Sequence, residues 1–256
     1  MNLSIPDVLH NLRKTGNLSP AALDMIKLVA LLAMLIDHIN TVFLTPAQPV
    51  MYALGRMAFP LFTLIWAMNV RRSPERLQLR ANRMWIWATI TQPVFSLAFQ
   101  HHQPWWAMNI LFVFAGVTQL LALQHRYGKK GFFAGGLLLA LMIFPLQPAS
   151  YGLAGVMLAV SLATVTGGTT PEIRRTAAFI AILSLISLNG VTYLLSMPAE
   201  TLLLATLPTL VLPLIAVSLC MDLCSEGCQR FMPRNFFYYA YTGHLGILGL
   251  IQYTFA

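Results

Sequence analysis

Hydrophobic residues in this chain come in long unbroken runs, not at alternating positions. Nine runs of about 17–22 residues lie near 25–44, 50–70, 84–100, 106–124, 131–147, 151–167, 176–195, 202–221 and 236–255. Each approaches the roughly 20 residues that a helix needs to cross the hydrocarbon core of a bilayer. Only helices or closed barrels satisfy their backbone in lipid, and continuous runs lack the alternation of a barrel. The pattern predicts an all-α polytopic membrane protein of about nine transmembrane helices. Residues 1–24 read as a polar N-terminal segment, with 3–13 suited to a short interfacial helix. Residues 25–256 read as a single transmembrane helical domain.

Polar punctuation refines the elements. Ser19 and Pro20 read as the N-cap and first position of helix one. Asp24 and Lys27, three apart, can neutralise each other at its start. Pro60, Pro93, Pro208 and Pro213 each remove a backbone hydrogen bond within a span. Gly131 and Gly135 form a GxxxG packing signal. The 1–24 segment lacks the apolar centre of a cleavable leader, so the first span is expected to act as its own insertion signal.

Composition agrees: 57% of the 256 residues are hydrophobic and 9% charged, which excludes an ordinary soluble domain. The net charge of +8 raises nucleic acid as a partner, but the placement of the cations argues against it. Arg13, Lys14 and Lys27 precede or open span one. Arg71, Arg72, Arg76, Arg80 and Arg83 follow span two. Arg126, Lys129 and Lys130 follow span four, Arg174 and Arg175 span six, and Arg230 and Arg234 span eight. The intervening loops carry no Lys or Arg. Every cation except Arg56 therefore falls on one side, which the positive-inside rule makes cytoplasmic, with the N-terminus in and the C-terminus out. Cys220, Cys224 and Cys228 sit at that reducing side, so free thiols are expected, with no disulfide and no metal.

The chemistry-bearing residues are those placed where charge is costly. Asp37 and His38 lie inside the first run and Arg56 inside the second. An ionisable group there costs roughly 2.5–3.5 kcal/mol on insertion scales and marks a polar pathway or site by default. Adjacent residues on a helix point about 100° apart, so Asp37 and His38 do not face one substrate together. The economical arrangement pairs Asp37 with Arg56 across helices and leaves His38 facing a cavity, where imidazole suits proton transfer. His244, near the middle of the last span, falls at a similar depth. The spacing equally admits a packing role for His38 and a purely structural Asp37–Arg56 pair. Asn69 and Asn109 read as interhelical hydrogen-bonding amides, and Tyr238, Tyr239 and Tyr241 as core or interfacial aromatics. The 71–83 segment carries more arginine than orientation needs; it suits either a polyphosphate ligand or anionic lipid. There is no P-loop, dinucleotide fingerprint, zinc-protease motif or nucleophile elbow.

These residues resemble a known family. DMIKLVALLAMLIDHIN and GRMAFPLFTLIWAMNVRR are similar to the first two signature spans of the TraX family of membrane proteins. RANRMWIWATITQPVF, the Met108–Phe112 opening of span four, Tyr151-Gly152 with Gly155, and the Tyr-rich last span with His244 extend the likeness over most of the chain. The resemblance implies a bacterial inner-membrane enzyme, with its C-terminus periplasmic, that transfers an acetyl group from acetyl-CoA to the N-terminal amine of conjugative pilin. Pilin, acetyl-CoA and the lipid bilayer are then the expected partners, and acetyl-CoA the only cofactor-like molecule. In that reading Arg71, Arg72, Arg76, Arg80 and Arg83 receive CoA at the cytoplasmic face, and its pantetheine arm threads toward His38. His38 takes the amine proton, Asp37 holds Arg56, and Arg56 or His244 stabilises the oxyanion. The rival readings are an acyltransferase for an envelope glycan, a transporter using Asp37, Arg56 and His38 as a relay, and a non-catalytic pilus assembly factor.

Overall fold

The computed structural model describes residues 18–168, 170–224, 228–233 and 235–255. The expected interfacial helix within 3–13, Arg13, Lys14 and Arg234 lie outside the described residues. Every regular element among the described residues is helical: α1 (Pro20–Phe43), α2 (Pro49–Gly55), α3 (Ala58–Arg71), a 3-10 turn (Pro74–Arg76), α4 (Leu77–Ala98), α5 (Leu111–Leu146), α6 (Gly152–Gly167), α7 (Pro171–Ser187), α8 (Val191–Ser196), α9 (Pro198–Thr201), a π-turn (Leu202–Thr206), α10 (Leu207–Leu223) and α11 (Phe236–Phe255). Helix begins where the polar punctuation predicts. Ser19 Oγ accepts the Ala22 N–H at 3.1 Å and Pro20 is the first helical residue of α1. Thr170 caps α7 in the same way, at 3.3 Å from Ile173 N.

Three boundaries differ from the sequence reading. The run 50–70 is not one helix but breaks at Arg56 and Met57 between α2 and α3. The run 176–195 breaks at 188–190, where Gly190 takes φ 84°. The run 106–124 turns helical only at Leu111.

The chain forms two compact units. One comprises residues 18–65 and 192–241, the other residues 66–191 and 242–255. In the first, α1 packs against α2 and α10, and the π-turn packs against α2. The π-turn has a local cause: Pro208, just beyond it, has no N–H to continue the regular ladder.

The second unit is organised by close glycine contacts. Gly128, at φ 58° and ψ −132°, adopts a conformation open to glycine alone. It folds α5 into two antiparallel halves, 111–127 and 129–146. A Cβ on Gly131 would strike the Leu123 carbonyl, and one on Gly135 would stand 2.6 Å from Leu120 Cα. At the open end of the hairpin the Met108 N–H donates to the Pro145 carbonyl at 2.9 Å. The GxxxG therefore seals a hairpin within the chain. The apolar runs 106–124 and 131–147 fall on these two halves.

The outward faces are apolar. Along the second half of α5, Phe133 (74% exposed), Leu137 (65%), Leu141 (70%) and Phe144 (70%) form one stripe at helical spacing. Ile86 and Ile90 on α4, Phe179 and Leu183 on α7, and Ile247 and Ile251 on α11 are likewise exposed. Water does not tolerate so much contiguous apolar surface; lipid does. Among the described residues, three stretches have the length and composition to cross a bilayer: Pro49–Arg71, Leu111–Leu146 and Pro198–Leu223. The protein is a helical membrane protein.

Gly135→Leu should force the hairpin halves apart. Overpacking of this kind costs typically about 1–3 kcal/mol, so the unfolding midpoint in detergent is expected to drop, while Gly136→Leu, where nothing stands within 4 Å, should leave it in place.

Candidate functional site

In the first unit, α1 carries Asp37 and the α2–α3 break carries Arg56. The break has identifiable causes. Pro60 lacks the N–H that would bond the Arg56 carbonyl, and the chain turns there through 3-10-type bonds, Arg56 N–H to Ala53 O at 3.3 Å and Met57 N–H to Leu54 O at 3.4 Å. The turn delivers the guanidinium to α1. Arg56 Nη2 donates to Asp37 Oδ1 at 2.6 Å, with the side chains 12% and 19% exposed. Arg56 Nε donates to the Tyr52 carbonyl at 3.3 Å, and the guanidinium lies 4.2 Å from the Tyr52 ring centroid, a cation–π contact.

Gly55 makes the approach possible. A Cβ there would stand 2.6 Å from Asp37 Cγ, so the carboxylate occupies the space that any other residue would fill. Gly55, Arg56 and Pro60 thus act as a unit, respectively the cradle, the cation and the helix break. The cross-helix pairing expected from sequence is present. His38, next to Asp37 on α1, is half-buried and engaged by a neighbouring group.

His244 lies in the second unit on α11, half-buried and also engaged. Its helix is held to α4 by a 2.7 Å hydrogen bond between Thr242 Oγ1 and Thr91 Oγ1, and Gly249 admits Leu97 closely. Asn109 is fully buried and behaves as expected. Its Nδ2 donates to Ala88 O and to Gln92 Oε1, both at 2.9 Å, and its Oδ1 accepts the Leu111 N–H at 3.0 Å, which fixes the start of α5 on α4.

The five arginines expected to receive a polyphosphate divide into two kinds. Arg71 Nε donates to the Ala163 carbonyl at 2.8 Å, near the end of α6, where Gly167 leaves room for the guanidinium. Arg80 Nη1 donates to the Asn69 carbonyl in the last turn of α3. Both reach carbonyls toward the C-terminal, negative pole of a helix, carbonyls that also accept the Thr166 hydroxyl at Ala163 and the Arg72 N–H at Asn69. Burial first, then the Arg83 charge, lowers the Arg80 pKa from its ordinary value. Arg72, Arg76 and Arg83 are exposed, and Arg76 reaches the exposed Glu75 only at 4.0 Å.

Several residues escaped the sequence reading. Asn40, one turn beyond Asp37, is 1% exposed and bonds to Gln48 through both ends of its amide. Its spacing of three from Asp37 was the available signal. Tyr52, one turn before Arg56, was another. Asp24 pairs with Lys27 at 2.9 Å as expected. It also accepts the Met232 N–H at 3.1 Å and lies 3.6 Å from Arg230 Nε. No local signal links residues more than two hundred apart in sequence. Cys220 is buried, Cys224 and Cys228 are half-buried, and none of the three forms a disulfide among the described residues.

Apolar outward faces and an ion pair enclosed among helices define a membrane protein with a built polar site. The chain belongs to the TraX family: the family model described as TraX protein matches residues 22–252. It is 37% identical over 236 residues to Protein TraX of Escherichia coli, an alignment covering 91% of this chain and 88% of that protein. It is 35% identical, with the same coverage, to Protein TraX of Escherichia coli strain K12. No solved structure matches the chain.

Arg56→Gln leaves the Asp37 carboxylate enclosed without its cation, and loss of one partner of a buried pair costs about 3–5 kcal/mol. Unfolding in detergent should show this loss, and adding Asp37→Asn to the same chain should recover part of it. A double variant whose loss equals the sum of the single losses would show that the two groups are uncoupled.

Proposed function

We propose that the protein is a membrane-embedded acetyltransferase of the bacterial inner membrane, moving an acetyl group from acetyl-CoA to the N-terminal amine of conjugative pilin. The observation that carries this reading is the Asp37–Arg56 pair at 2.6 Å, next to His38, at a helix break between apolar helices. Unwound backbone with paired charges at membrane depth is tolerated where it lines a site buried in protein or water. Membership of the TraX family supports the same reading.

The chemistry asks little of such a site. An α-amine with a pKa of about 7.7–8.0 is partly neutral at pH 7. Its nitrogen attacks the thioester carbonyl carbon and a tetrahedral oxyanion forms. His38 takes the amine proton, the carbon–sulfur bond breaks, and the proton passes to the departing CoA thiolate. Asp37 fixes the guanidinium of Arg56, which stabilises the oxyanion; His244 is the alternative donor. Arg72, Arg76 and Arg83, with Arg71 and Arg80 behind them, bind the CoA phosphates bidentately.

The topology in this reading is multi-pass, with nine spans, a cytoplasmic N-terminus and a periplasmic C-terminus. Contacts within each unit support it by pairing ends assigned to one side. Asp24 meets Arg230 and Met232, Gln78 meets Gln119, and Arg71 meets Ala163, all at cytoplasmic ends. Met108 meets Pro145 at the opposite side. An enclosed ion pair beside a histidine also suits an ion or proton relay. Acetyl-CoA binding to the purified protein separates the two, since a relay has no use for it.

The intact mass of pilin from cells with this protein, with its His38→Ala variant, or with neither tests the proposal. An acetyl increment on the N-terminal residue is expected only with the intact protein. The same increment without the protein would defeat the enzyme reading, and its persistence in the variant would remove His38 from the mechanism. Replacing Arg72, Arg76 and Arg83 together by Gln should weaken acetyl-CoA binding at least tenfold, on the basis of about 1.4 kcal/mol per tenfold.

A further inference from the structure

Asn40 is 1% exposed, and it spends both ends of its carboxamide on the backbone of one residue. Its Nδ2 donates to the Gln48 carbonyl at 3.2 Å and its Oδ1 accepts the Gln48 N–H at 2.7 Å. Gln48 is the N-cap residue of α2, and its own side chain makes no capping bond. Its carbonyl also accepts the Tyr52 N–H at 3.0 Å, the first bond of the α2 ladder. Asn40 therefore holds the point from which α2 starts.

The far end of α2 is Gly55, followed at once by Arg56. Asn40 lies three residues after Asp37 on α1, hence on the same face, and Thr41 Oγ1 donates to the Asp37 carbonyl at 2.9 Å. A seven-residue helix is thus fastened to one face of α1 at both ends, by Asn40 on Gln48 and by Asp37 on Arg56. Helices this short do not hold their geometry unaided. A shift of one residue at the start would rotate the far end by about 100°. Gly55 would then leave the Asp37 carboxylate and bring a side-chain-bearing residue against it.

We infer that Asn40 is a positioning residue: by clamping Gln48 it sets the rotation of α2 that places Gly55 against Asp37 and Arg56 within reach of the carboxylate. Its effect on turnover rests on the transfer reading given above, whereas its effect on the ion pair does not. Asn40 need not touch substrate.

The test uses the full-length protein purified in detergent, with Asn40→Leu, which keeps the bulk and removes both bonds, and Gln48→Pro, which removes only the N–H that Asn40 accepts. Proline suits the Gln48 φ of −84°, so this variant is expected to fold where the first fails. The first readout is the coupling between Asp37→Asn and Arg56→Gln in unfolding midpoints, measured with and without the Asn40 or Gln48 change. The inference expects the coupling to vanish in Asn40→Leu and to shrink in Gln48→Pro. The second readout is acetyl transfer to a peptide amine: kcat should fall by about 10- to 100-fold, the scale of an ångström-level misplacement, with KM for acetyl-CoA within about twofold of the parent. Coupling and kcat per folded molecule both at parental values would overturn the inference. Coupling lost, with no transfer by the parent protein, would sustain the positioning role and overturn the transfer reading instead.

Discussion

A single charged pair in surroundings that cannot solvate it governs the architecture around it. Asp37 and Arg56 each carry a charge inside an apolar run, and either one alone would cost a large share of a protein's marginal stability. Their pairing at 2.6 Å dictates several neighbouring features. The helical run after the 44–48 loop must break so that Arg56 can turn toward α1, and Pro60 supplies the break. The residue before Arg56 must have no side chain, because Asp37 fills that volume. The short helix so created needs an anchor at its start, which Asn40 provides. Motif residues that look independent in the sequence are consequences of one electrostatic requirement.

The cations elsewhere follow a different logic. Arg71, Arg80 and Arg174 each donate to a carbonyl near the last turn of a helix, at Ala163, Asn69 and Val165. They brace helix ends within the second unit. Asp24 is the buried counterpart, joining the start of α1 to the segment after α10 through Lys27, Arg230 and the Met232 N–H. Arg72, Arg76 and Arg83 are the arginines of the 71–83 segment that lie exposed.

Much of this was legible in the sequence, because membrane helices announce themselves by length and hydropathy. The helical class, the N-cap at Ser19, the Asp24–Lys27 pair, the Asp37–Arg56 pair and the bridging role of Asn109 could all be read directly. What stayed hidden was hidden for physical reasons. The break at Arg56–Met57 leaves hydropathy unchanged, since its causes are a proline four residues on and a polar partner on another helix. The hairpin at Gly128 depends on one glycine conformation. Asn40 resembled any amide in a span until the loop brought Gln48 beside it.

The central claim is that the enclosed ion pair serves a transfer reaction and not packing alone. The most direct measurement is transfer of label from acetyl-CoA to a synthetic pilin N-terminal peptide by the purified protein in lipid vesicles, beside the Asp37→Asn/Arg56→Gln double variant. That variant removes both charges together and so avoids an orphaned one. The account predicts label on the peptide amine with the parent protein and none with the double variant at equal folded amount. Equal labelling by both would reduce the pair to a structural element, and no labelling by the parent would contradict the account outright.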